Sequence, residues 1–177
     1  MVVPPLSSLS SSPWTAAQPP DKDACVTKDD LRKQLRTKRR DHVTALPDSM
    51  CTLMFMRPPA PLLELVAQGA TIGLYRANPY EAPTAAYAKY FYEQGHQLAL
   101  PRFADKRSAM EFARFTDPFE ESDLEAGPFG IAQPKLDAGL VEPSVLLVPL
   151  VGFTATGIRL GQGGGHYDRW LAAHPGT

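Results

Sequence analysis

VLLVPLVGFTATGIRLGQGGGHYDRWL, residues Val145 to Leu171, runs from an apolar segment through a glycine cluster into a short helical pattern. Val145 to Val151 is apolar throughout except at Pro149, the pattern of a strand covered on both faces, as parallel strands in α/β domains are. Tyr167 to Ala173 reads as the start of a helix. Between them stand Gly157, Gly161, Gly163, Gly164 and Gly165, more glycine than one turn needs. Without Cβ atoms in the way, backbone N–H groups can converge there on an anion. Strand, glycine-rich loop and helix N-terminus together make a phosphate cradle, because free amides and the positive end of the macrodipole point the same way. The loop fits neither the Walker pattern, which needs Lys then Ser or Thr after its last Gly, nor the dinucleotide fingerprint, which needs Gly where His166 stands. Arg159 is suited to clamp phosphate oxygens. Asp168 would repel them unless a cation stood between, so a nucleotide with Mg²⁺ accounts for both residues. The plainer alternative makes Asp168 a first-turn partner of the macrodipole and Arg159 half of a surface ion pair.

The run Arg159-Leu160-Gly161-Gln162-Gly163-Gly164-Gly165-His166-Tyr167-Asp168-Arg169 closely resembles the C-terminal signature of the 5-formyltetrahydrofolate cyclo-ligase family, R-L-G-x-G-x-G-Y-Y-D, with Pro149, Phe153 and Gly157 standing where the family has them upstream. It departs from the signature at Gln162, where an aromatic or basic residue is frequent, and at His166, where the first Tyr is usual. The resemblance implies nucleotide contacts from Arg159 through Tyr167, catalytic roles for Arg159 and Tyr167, a folate contact from Tyr167 and a metal ligand in Asp168. It also implies an α/β, three-layer Rossmann-like domain with a mostly parallel sheet, which agrees with the alternation of strand and helix patterns along the chain.

A chain of 177 residues with 44% hydrophobic and 21% charged residues has the composition of an ordinary single globular domain. Its net charge of −1 gives no bulk electrostatic reason for nucleic-acid or membrane-surface binding. No apolar run approaches the ~20 residues of a membrane span, so small molecules are the expected partners, and a cytoplasmic monomer the expected state. Cys25 and Cys51 have no metal-type spacing and read as inert thiols in a reducing compartment. Residues 1–26 hold five Pro and five Ser and look like a disordered tail, neither signal peptide nor packed element. The domain is expected over residues 27–177.

Thr27 is a good N-cap ahead of Asp29 and Asp30, opening a helix to about Ala45 that ends before Pro47. Lys28, Arg32 and Arg36 share one face of it at i, i+4, i+8, with Leu31 and Leu35 beside them. A solvated basic face is the plain reading. The family's K-x-x-L-R element, matched by Lys28 and Arg32, implies instead that both reach the ATP phosphates. A short helix is expected over Leu62–Gln68, stopped by Gly69, then a strand over Ala70–Tyr75 and a helix from an N-capping Thr84 to Tyr92. Glu81 matches a family Glu thought to hold the folate, although an acid before a helix N-terminus is also ordinary dipole complementarity. Gln97–Phe103 is a further strand. Met110-Glu111-Phe112 resembles the family's M-x-F strand lining the folate pocket, with core packing the plain alternative, and Met110 is a candidate substrate contact. Gly127 to Pro134 resembles a G-I-x-E-P turn with Gln133 in place of Glu.

Together these imply ATP- and Mg²⁺-dependent cyclisation of 5-formyltetrahydrofolate to 5,10-methenyltetrahydrofolate, with ADP and phosphate released. The resemblance also implies a further strand region and a second metal-sharing acid beyond Thr177, so the domain is expected to lack its C-terminal end. Two other classes stay open: a catalytically silent nucleotide- or folate-binding protein of the same fold, and a sugar-phosphate isomerase or acyl-CoA transferase relative, for which no catalytic carboxylate or Lys is clearly placed.

Overall fold

A reciprocal capping box opens the first helix, α1 (Lys28–Ala45). Thr27 Oγ1 accepts from the Asp30 amide at 3.1 Å while the Asp30 carboxylate accepts from the Thr27 amide at 3.4 Å, satisfying donors that a helix start leaves free. The structure, a computed structural model, describes residues 26–47, 50 and 55–177. The expectations for the Pro/Ser-rich tail up to residue 25, and for Cys25 and Cys51, lie outside those residues. Helix α1 buries no residue fully. Its half-buried positions are Arg32, Leu35, Arg39 and Val43, spaced by three and four, and so form the stripe that faces the body. Leu35 fills the space over Gly152, where a Cβ would come within 2.7 Å of its Cδ1.

The remaining elements are α2 (Ala60–Leu63), β1 (Thr71–Gly73), α3 (Ala85–Glu93), β2 (Gln97–Arg102), β3 (Glu111–Phe115), β4 (Leu124–Ala126), β5 (Ala132–Pro134), β6 (Val145–Leu146), β7 (Gly152–Phe153), β8 (Arg159–Leu160) and α4 (His166–Ala173). The central sheet has the order β3-β2-β1-β6. β1 runs parallel to both β2 and β6, and β3 returns antiparallel beside β2, so the sheet is mostly parallel as expected.

Alternation along β2 sorts the core into two layers. Leu98 and Leu100 face α3 with Ile72, Leu74 and Phe115, and meet Ala88 and Phe91 of that helix. Ala99 faces the other way, with Phe112, Met110 and Trp170 of α4. Helix, sheet and helix thus form the three layers. Each large side chain buried here contributes roughly 1.5–3 kcal/mol. Trp170, 6% exposed and edge-on to Phe112 at 5.0 Å, anchors α4 to the sheet.

Four local expectations are corrected. Val145–Val151 is not one covered strand: only Val145 and Leu146 join the sheet, at its edge and half-buried, and after Leu147 donates to Gly73 O at 2.8 Å the chain leaves, Pro149 having no N–H to continue the ladder. The helix expected over Leu62–Gln68 is the single turn α2, because Pro59 and Pro61 fix its start at Ala60. Thr84 stands at the N-cap of α3, but its hydroxyl donates to Tyr75 O at 2.5 Å, tying the helix to the end of β1. The stretch read as open loop before Gly161 contains a hairpin of β7 and β8.

Candidate active site

A cavity of about 400 Å³ opens beyond the carboxyl ends of β1 and β2, where α/β sheets present ligands. Segments following β1, β2 and β6 supply Tyr75, Glu81, Phe103 and Pro149; the turn between β4 and β5 supplies Phe129; the loop from Gly161 to Asp168 closes one end. Arg32 enters from α1. Its Nε donates to Gly161 O at 3.0 Å. The same guanidinium lies over Gly163, 3.6 Å from where a Cβ would stand, an ordinary contact distance, and it is the backbone at φ +110 that favours glycine there. Gly165, at φ +65, turns the chain into α4, and no side chain caps the first-turn amides.

Arg159 on β8 and Asp168 in the first turn of α4 form an ion pair with each other. The Asp168 side chain is 69% exposed and that of Arg159 24%. Arg36 donates to the carbonyl of Gln162 at 2.8 Å and to its side-chain oxygen at 3.1 Å, fastening the glycine loop to α1. Lys28 is exposed at the first position of α1 and does not line the cavity. Neither does Leu160, whose carbonyl accepts from the Val151 amide at 2.8 Å.

Beside the glycine loop Glu81 is a hub. Its side chain is 8% exposed. It accepts from Gln162 Nε2 at 2.5 Å and from the Asn78 amide at 3.1 Å, with Arg39 Nη2 at 3.9 Å. Its carboxylate therefore serves the loop and α1, and not the N-terminus of α3. Burial, and after it the negative charge of Glu81, raise the Tyr75 phenol to about 12 and push the Tyr167 phenol higher still. Both phenols stay protonated as neutral donors.

Met110 lines the cavity, whereas Phe112 of the same motif lies in the core. Phe103, Phe129 and His166 meet edge to face, with centroids of 4.9 Å for Phe103–Phe129 and 5.0 Å for Phe103–His166. Burial, helped by the charge of Arg169, lowers the His166 pKa. Arg169 Nη2 lies 3.1 Å from His166 Nδ1. A guanidinium only donates, so Nδ1 accepts and the ring proton sits on Nε2.

The cavity thus offers cations and loop amides together with aromatic rings, a thioether and one buried carboxylate, suiting a polyphosphate beside a flat polar heterocycle. The sequence profile of the 5-formyltetrahydrofolate cyclo-ligase family matches residues 24–177. The chain belongs to that family. It is therefore an enzyme of the ligase class in folate one-carbon metabolism. A 5-formyltetrahydrofolate cyclo-ligase of Haemophilus influenzae is 32% identical over 148 residues, 79% of this chain and 77% of that protein. One of Escherichia coli K12 is 29% identical over 145 residues, 80% of this chain and 75% of that one. The solved structure of the Aquifex aeolicus 5,10-methenyltetrahydrofolate synthetase superposes with a TM-score of 0.62 at 24% identity, covering 82% of this chain and 72% of the other, a likeness of fold.

The structure gathers Arg32, Glu81, Met110, Arg159, Gly161 to Gly165, His166, Tyr167 and Asp168 around one cavity. Sequence reasoning missed Arg39, Tyr75, Phe103 and Phe129. Arg39 was within reach, lying seven residues after Arg32 on the Leu35–Val43 stripe. The others depend on contacts between distant segments. Among the described residues no group of three His, Cys, Asp or Glu is placed to hold a metal by itself. No helix among them is long and apolar enough to cross a membrane.

Proposed function

We propose that this chain uses ATP and Mg²⁺ to close 5-formyltetrahydrofolate to 5,10-methenyltetrahydrofolate, releasing ADP and phosphate. The observation that carries this reading is a cavity lined both by a glycine loop with Arg32 and Arg159 and by an aromatic wall of Phe103 and Phe129, room for two substrates side by side. Arg32, Arg159 and the amides of Gly161 to Gly165, with Gln162 and His166 between them, hold the triphosphate. Lys28, one turn ahead of Arg32, reaches over its outer phosphates from the rim. Glu81, Met110 and Tyr167 hold the folate against Phe103 and Phe129.

Asp168 fits Mg²⁺ through the chemistry of its setting: one exposed carboxylate beside a phosphate loop is the donor set of an ion that takes its other ligands from phosphates and water. Bound there, the ion would neutralise charge on the phosphates. Arg159, now paired with Asp168, would turn to a phosphate oxygen when that carboxylate takes the metal.

The formyl group on a ring nitrogen is an amide, with a poorly electrophilic carbon and a poorly leaving oxygen. Transfer of the γ-phosphoryl group to that oxygen changes both. The side-arm nitrogen then attacks the carbon and loses its proton, and the oxygen departs as phosphate. The protein's contribution is positioning and charge neutralisation, as in phosphoryl transfer generally. Tyr167 donates from a protonated phenol, and Glu81, fixed from three sides, accepts from the folate. A cytoplasmic monomer is part of the same reading. Incubation with both substrates and Mg²⁺ should yield the methenyl product and ADP in equal amounts; binding of both without product would identify a silent member of the family instead.

A further inference from the structure

We propose that Gln133 is a positioning residue for the folate end of this site, its carboxamide holding Phe103 in place by replacing a strand partner that the sheet no longer supplies. This rests on the folate reading above. The ladder between β2 and β3 ends at the pair Arg102–Glu111, one residue before Phe103. The Phe103 amide donates to Gln133 Oε1 at 3.0 Å, and Gln133 Nε2 donates back to Phe103 O at 3.0 Å. Such a pair reproduces with a side chain the two bonds that a neighbouring strand would make. Gln133 is only 5% exposed, and its backbone is held in turn by pairing with Glu125. The surroundings are shaped to it: at Gly127 a Cβ would stand 2.7 Å from Gln133 Oε1.

What the amide fixes is the ring at the centre of the cavity wall. Phe103 touches Phe129 from the β4–β5 turn and His166 from the glycine loop, so a drift of its backbone would unseat both. In this chain the pair of bonds uses both halves of an amide. One atom must accept while the other donates, and an ionised carboxylate would set an oxygen against the Phe103 carbonyl.

The test is steady-state kinetics and thermal unfolding of wild type, Gln133→Leu and Gln133→Glu. Leucine keeps the approximate shape and removes both bonds. It should raise KM for 5-formyltetrahydrofolate about tenfold or more, at roughly one hydrogen bond's worth per lost bond, while KM for ATP changes less than about threefold. Glutamate should be pH-dependent where glutamine is not. As pH falls from about 8 to 6, the buried carboxyl gains a proton and can donate again, so the ratio of its folate KM to that of wild type should fall towards one. Taking the ratio cancels titrations common to both proteins. A leucine variant with unchanged folate KM, equal losses for both substrates, or a glutamate-to-wild-type ratio that ignores pH would each overturn the proposal. Wild-type turnover is the control for the folate reading. If it is absent, that reading fails, and the positioning bond is still tested by whether Gln133→Glu, relative to wild type, gains thermal stability as pH falls.

Discussion

Arg32 and Lys28 separate two roles for a basic side chain on one helix. Arg32 is drawn in by the Gly161 carbonyl and lies over Gly163, whereas Lys28 remains in solvent. Arg32→Ala removes a charge-assisted bond of about 1.5–3 kcal/mol, so ATP affinity should fall roughly ten- to over a hundredfold by calorimetry with 5-formyltetrahydrofolate binding spared. Lys28→Ala should weaken ATP less, and an equal loss of both ligands in either variant would remove that residue from the phosphates. Tyr75 permits a test of burial. Its phenol is raised from 10.0 to about 12, so the folded protein keeps a proton that the unfolded chain releases. The resulting stability is complete below pH 10 and is lost as pH climbs towards 12. Tyr75→Phe should therefore unfold less steeply with pH over that interval, at some cost at all pH values for the lost bond to Ala82 O. At this scale the sequence was legible where a motif keeps neighbours together, as it does for Asp168 and Arg159, which line one cavity and pair with each other. It was silent on Gln133, whose substitution for the usual Glu looked like a loss of charge. Its partner lies 30 residues away, and nothing local announces two bonds to Phe103.

The glycine loop and α1 form one working unit among the elements. Arg36 grips Gln162 by backbone and side chain, and Gln162 passes the contact on to Glu81. Substitution of Gly163 should expose this dependence: Gly163→Ala strains a backbone at φ +110 directly beneath the Arg32 guanidinium. ATP affinity should drop at least about tenfold while the thermal midpoint falls little, since the loop is surface structure. A large fall in the midpoint with unchanged ATP binding would show the glycine to be needed for folding alone. The capping box makes a separate forecast. Thr27→Ala should destabilise the protein by ~1 kcal/mol and speed amide exchange in the first turn of α1. Helix α1 was readable because its cap and stop are local signals. The β7–β8 hairpin was not, because its turn at Gly157 lies within a longer run of glycines and its strands are two residues each. Strand β6 was overread for a related reason, an apolar run being equally compatible with a half-buried sheet edge.

Across the whole molecule, α3 packs on one face of the sheet and α4 on the other, and the cavity opens where the parallel strands end between them. That arrangement followed from the alternation of strand and helix patterns, whereas the meeting of α1, the glycine loop and Glu81 required the tertiary structure. The central claim is that Asp168 and the loop bind ATP with Mg²⁺ beside the folate. It is tested most directly by the rate of methenyl product formation in wild type and Asp168→Asn over a Mg²⁺ titration, with thermal midpoints recorded in parallel. The wild type should turn over only with ATP and Mg²⁺ present. Asp168→Asn should lose Mg²⁺-dependent turnover while melting within a few degrees of wild type, because the Asp168 carboxylate is exposed and an ion pair open to solvent adds little stability. Wild-type turnover independent of Mg²⁺, or an Asp168→Asn variant that responds to Mg²⁺ as the wild type does, would contradict the account.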